Sequence, residues 1–241
     1  MEIRAQAFAF STNDEVNNMT FHNYVLINQG TQTLSNTYFG VWVDADVGTA
    51  TDDYVGCDVQ RGLGYSYNGD AVDEPSNSSI GYGENPPAVG IDFFEGPYQD
   101  ADSIDNPLTT NFGNAIDSLG IPYEGIGIGY GDGIVDNERF GMRRFVYYNN
   151  SNNPINGEPA TPLHFYNYMN GVWKNGQKMA YGGDGVNAST GANLDVSCDY
   201  MFPGDTDPFN WGTGGTTVEP WTEVTSGNPP ADRRFIQAAG P

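Results

Sequence analysis

The feature that most constrains this fold is an interruption. Strand-like patterning fills the first 43 residues and returns at 142–149, but residues 44–138 are rich in Asp, Gly and Asn, with short apolar islands only at 63–67, 88–94 and 121–128. Long stretches without a regular element are unusual in compact domains unless they are functional or otherwise pinned. Something other than a sheet ladder must therefore order this one. Before it, alternation and β-branched or aromatic content predict strands at 3–10, 19–28 and 36–43. Together they read as a meander at the edge of a sheet.

After the interruption, Met142–Asn149 predicts a strand and the segment from Thr161 to Gly176 a helix. Thr161 suits the N-cap, Pro162 the first helical position and Gly176 the stop. Its aromatic content predicts that it packs on a sheet. Residues 181–231 read as Gly/Pro/Asp-rich loop, and 232–238 as the start of a final strand that stops early. With 32 Gly and 15 Pro, short elements joined by turns are favoured over long helices. The expectation is a mainly β fold: one β-sandwich-like domain over 1–241, with one short helix and long Asp/Gly-rich loops inserted at about 44–138.

Charge narrows the function. Thirty-one acidic residues against nine basic ones give a net charge of −22. Such self-repulsion opposes compaction unless salt or bound cations offset it. Nucleic acid needs a basic face and is excluded as a partner. No apolar run approaches the roughly 20 residues of a membrane span, and no basic amphipathic helix suggests membrane binding.

The acids are clustered. Asp44, Asp46, Asp52, Asp53 and Asp58 fall close together, interleaved with Gly48 and Gly56. Calcium takes six to eight oxygen ligands, often from closely spaced aspartates and main-chain carbonyls, so this cluster is the leading candidate for a Ca2+ site. It is not an EF-hand, because Gly48 and Val55 occupy the fifth and twelfth positions counted from Asp44. The alternative is a solvated loop in which Asp serves turns. Asp100, Asp102 and Asp105 form a second group, and Asp132, Asp136 and Glu138 a third. Both resemble the DxDGxxDN-type loops of thrombospondin type 3 and dockerin-like repeats. Each departs from that pattern, with Ser103 where Gly is expected and Tyr130 where the leading Asp is expected. Asp205 and Asp207 are a weaker candidate, against a plain Pro/Asp turn.

Catalytic patterns are absent. There is no nucleophile elbow and no zinc-protease motif, and His22 and His164 read as structural. Two carboxylates could serve glycoside hydrolysis, with Glu84, Asp92, Glu95 and Glu124 available, but the chain is expected not to be an enzyme. Trp211 and Trp221 are candidates for stacking on glycans, against a role in clamping loops. Cys57 and Cys198 would close a loop of roughly 140 residues if bonded, worth about 5 kcal/mol by chain entropy. Two buried free thiols are the equal alternative.

Several words of the sequence carry a resemblance: Phe21-His-Asn-Tyr-Val-Leu-Ile-Asn, Thr37-Tyr-Phe-Gly-Val-Trp-Val-Asp-Ala-Asp, Asp53-Tyr-Val-Gly-Cys-Asp, Arg61-Gly-Leu-Gly-Tyr, Met201-Phe-Pro-Gly-Asp-Thr-Asp-Pro and Asp232-Arg-Arg-Phe-Ile-Gln-Ala-Ala-Gly-Pro. Together they resemble a segment of large secreted Bacteroidota surface proteins exported by type IX secretion. The resemblance implies an extracellular or cell-surface location and brings no catalytic residues with it. It also implies further strand sequence after Ala-Gly-Pro, so the chain reads as a segment of a longer precursor. A missing closing strand would leave an edge that other copies or segments of surface proteins could fill by strand addition. The functional expectation is a calcium-stabilised structural or adhesive surface module, possible in filaments, with a carbohydrate-binding module or a polysaccharide hydrolase as alternatives.

Overall fold

The computed structural model describes residues 1–76, 79–99, 101–106 and 127–240. It is mainly β, built from several small antiparallel sheets. It divides into two compact units, Met1–Asn36 and Thr37–Pro241, a division that the sequence reading did not place.

The first unit is a hairpin. Strands β1 (Glu2–Ala9) and β2 (Thr20–Ile27) pair antiparallel, each only with the other among the described residues. Phe8 lies opposite Phe21 in the register, and their rings stack at 5.3 Å with Phe10 edge-on. Such cross-strand aromatic pairs set register. Asp14 caps the short turn Glu15–Asn18 by accepting from the Val16 amide. The expected three-strand meander does not form, because the third strand joins the other unit.

The second unit holds β3 (Phe39–Val43), β4 (Asp53–Asp58), β5 (Leu63–Asn68), β6 (Val72–Asp73), β7 (Gly83–Glu84), β8 (Ala88–Asp92), β9 (Gly127–Ile128), β10 (Arg139–Phe140), β11 (Arg144–Asn149), α1 (Pro162–Met169), β12 (Ala180–Tyr181), β13 (Asn193–Ser197), α2 (Glu223–Ser226) and β14 (Arg233–Ala239). Two three-stranded sheets, β11–β14–β3 and β4–β5–β8, form its centre. They share a core. Gly64 of β5 sits so close to Phe145, Phe235 and Gln237 that any side chain there would collide with them. The Gln237 amide donates to the Ile91 carbonyl of β8 at 3.0 Å. On the opposite face of β11–β14–β3 lies α1, with the Tyr168 ring tilted against that of Tyr148 at 5.4 Å.

Four expectations are corrected here. Residues 44–138 do contain a sheet: β4 is buried along its whole length, and the islands at 63–67 and 88–94 are β5 and β8. Strand β14 is central, lying between β11 and β3, rather than a strand that stops early at an open edge. Helix α1 starts as expected, with Thr161 Oγ1 accepting from the His164 amide, but it ends at Met169, where Asn170 caps it. Gly176 instead serves a later turn, its amide bonded to the Trp173 carbonyl. Finally, 181–231 carries a second short helix, α2, closed by a reciprocal Thr222–Thr225 capping box. Its Glu223 is fully buried, accepts from the Val55 amide of β4 at 3.0 Å, and is held by Arg233 of β14 at 2.7 Å.

Candidate metal centre

The leading acidic cluster is taken apart by β4. Asp44 and Asp46 lie just beyond β3, on the segment that crosses to β4. Asp232 lies just before β14, which pairs with β3. This register brings Asp44, Asp46 and Asp232 together, with one carboxylate oxygen from each lying within 4.8 Å of the others. Two ligands on opposite sides of a calcium ion stand about 5 Å apart, so one ion can span all three. Asp232 was not among the predicted ligands. It lies far from the cluster in sequence, and only the β3–β14 pairing reveals it.

The electrostatics are those of an acid-rich site with partial compensation. Arg234 pairs with Asp44 at 2.9 Å and with Glu158 at 2.8 Å. Burial raises the Asp46 carboxyl above its ordinary range, and Asp44 and Asp232 push it the same way against the pull of Arg234. Asp232 Oδ2 accepts from Asn150 at 2.8 Å, while its Oδ1 is buried without a hydrogen-bond partner. A solvent-excluded carboxylate oxygen without a donor is costly, and a hard cation is the partner that all-oxygen ligands fit best.

Asp53 is only 1 % exposed. Its Oδ2 accepts from the Val47 amide at 3.0 Å and its Oδ1 has no partner. Burial pushes this carboxyl up to about 7; the Val47 bond opposes that shift, while Asp52, Asp46 and Asp73 add to it. The crossing segment can come this close because Gly48 has φ +76 and faces the Asp73 carboxylate, where a Cβ would collide. Asp58, at the far end of β4, points away to Arg61, with which it forms an ion pair and an amide bond of 3.1 Å. It is not part of the trio.

The second and third acidic groups meet each other. Asp105 accepts from the Gly131 and Gly133 amides at 2.8 and 2.7 Å. Asp136 accepts from the Asp102 and Ser103 amides at 2.8 and 2.9 Å. Asp102 and Asp132 accept from the Ile104 and Ile134 amides two residues on, and Glu138 accepts from the Asn106 amide at 2.6 Å. These carboxylates lace two loops together, and no three of them converge as the trio does. Asp100 and Glu124 lie outside the described residues. Asp207 closes a turn on the Trp211 and Gly212 amides, and Asp205 is exposed.

The glycan-stacking candidates are buried. Trp211 is 5 % and Trp221 4 % exposed, with Trp221 packed between Tyr181 and Phe202 at 4.7 and 4.9 Å. Neither has a face to offer a sugar. Trp42 on β3 is 49 % exposed; its indole N–H donates to the Tyr148 hydroxyl and Arg234 lies over its ring. Cys57 and Cys198 are buried free thiols rather than a disulfide. They donate to different carbonyls, of Met201 and Ala180, and burial raises both thiols well above their ordinary range. His164 Nδ1 accepts from the Ala160 amide at the start of α1, a structural use. Among the described residues, no helix is long and apolar enough to cross a membrane. No family model matches the chain, and no curated protein or solved structure matches it.

Proposed function

We propose that this chain is a calcium-stabilised structural or adhesive module of an extracellular or cell-surface protein, with a sandwich-like body and no catalytic role. The observation that carries the reading is the Asp44–Asp46–Asp232 trio, whose carboxylate oxygens lie within one ion's span and whose Asp232 Oδ1 is buried without a partner. Calcium there would tie the end of β3 to the start of β14 and relieve part of a −22 charge. The resemblance to type IX-secreted surface proteins supplies the proposed location. Assembly with other copies or segments by strand addition is supported by the β1–β2 hairpin, a two-stranded ribbon with both outer edges unpaired among the described residues.

Thermal melts of metal-free protein with added Ca2+, and with chelator, test this reading. Metal that binds only the folded state stabilises it by about 2.7 kcal/mol at a hundredfold excess over Kd. The melting temperature should rise with calcium, and Asp232→Asn should remove most of the rise. Identical melts in calcium and chelator would sink the proposal.

A further inference from the structure

The β4–β5 pair holds a second set of unanswered oxygens. Asp53 and Asn68 face each other directly in the register, and side chains of such a pair lie on one face within contact distance. Asn68 is 6 % exposed. Its Nδ2 donates to the Asp70 and Val72 carbonyls, both at 3.2 Å, while its Oδ1 is buried and accepts nothing. Asp53 Oδ1 and Asp52 Oδ1 are likewise buried acceptors without donors. Two oxygens of acceptor character therefore stand unmatched across one strand pair, with a third on Asp52 next in the chain, and one belongs to a neutral amide that acidity alone does not explain.

The charges nearby do not answer them. The charged groups that act on Asp52 and Asp53 are all carboxylates: Asp46, Asp70, Asp73 and Glu74, and each other. Two other acids are paired with arginines. Glu223 has Arg233, and Asp199 has Arg143 and Arg144. Asp53 has no such arginine among the described residues, and its oxygens are not part of the Asp44–Asp46–Asp232 group.

We propose that Asp53, Asn68 and Asp52 form a second, inner site for a hard divalent cation of the calcium class. Its remaining ligands would be water or main-chain carbonyls. The inference extends the calcium reading above but stands on different residues. An ion there would fix the segment 44–53 against β5 and make metal part of the core sheet rather than of its rim.

The test counts ions. Equilibrium dialysis of metal-free protein against Ca2+ should find two bound per wild-type chain. Asp53→Asn and Asp232→Asn should each lose one, and Asp52→Asn should weaken the inner ion at least tenfold. Metal-free Asp53→Asn should melt at or above wild type, since its new amide can donate to Asn68 Oδ1, so misfolding is not an escape. The inner site is overturned if Asp53→Asn binds as many ions as wild type. One ion, kept in Asp53→Asn and lost in Asp232→Asn, removes the inner site and leaves the outer. The reverse pattern keeps the inner site and removes the outer. No bound ion at all overturns both.

Discussion

The crossing between β3 and β5 and the laced loops at 101–106 and 130–138 are equally acidic to the eye, yet their carboxylates are answered to different degrees. In the laced loops each described carboxylate finds a main-chain amide, as Asp105 does on Gly131 and Gly133, with Asp102 Oδ2 the one buried oxygen of theirs left over. Around β4, Asp52 Oδ1, Asp53 Oδ1 and Asn68 Oδ1 find no donor, while the other oxygen of Asp53 reaches an amide, that of Val47. The reason lies in the backbone. Residues in tight turns have amides free to bend toward a nearby carboxylate, the mechanism of Asx-turns. Strand residues direct theirs into ladders. Acid density alone therefore does not leave oxygens unmatched; the local supply of free N–H groups decides that.

Arg233→Ala should give the largest effect. It leaves Glu223 charged, buried and unpaired beside β4, a change that typically costs about 3–5 kcal/mol. Chemical denaturation measures it, and a loss below about 1 kcal/mol would mean that cationic compensation near β4 matters little. Asp105→Asn comes next. It weakens two amide contacts in the laced loops and should cost about 1–3 kcal/mol, equally in calcium and in chelator. A cost that appears only in calcium would erase the distinction between the two regions. Arg61→Ala should do least. Only the Arg61 end of the Asp58–Arg61 pair faces solvent, its side chain 73 % exposed while Asp58 is buried, and pairs screened by solvent in this way contribute about 0–1 kcal/mol. A larger loss would mean that Asp58 depends on Arg61 as Glu223 depends on Arg233.

Local signals were legible in the sequence where they were strong. The β1 and β2 hairpin strands, β11 and the Thr161–Pro162 start of α1 follow from alternation and capping chemistry that tertiary contacts do not override. Strand β4 escaped because Asp53-Tyr-Val-Gly-Cys-Asp begins and ends on acids. Those acids resemble loop ligands, whereas their burial depends on Glu223, Ala231 and Phe202 from the far end of the chain. Trp211 and Trp221 escaped for a related reason: Gly/Pro-rich surroundings suggest exposure, but irregular backbone can line a core when side chains such as Asp207 bond its amides.

The sequence alone determined the class of the fold, the acidity and the all-oxygen character of the ligands on offer, because these depend on residue type and short-range periodicity. For the same reason, a cation held by such ligands would be a hard one. Which oxygens meet was decided only by tertiary structure. Asp232 reaches Asp44 and Asp46 because β14 pairs with β3, and Asn68 faces Asp53 because β5 pairs with β4. Strand pairing joins residues irrespective of their separation along the chain, and no local pattern encodes that choice.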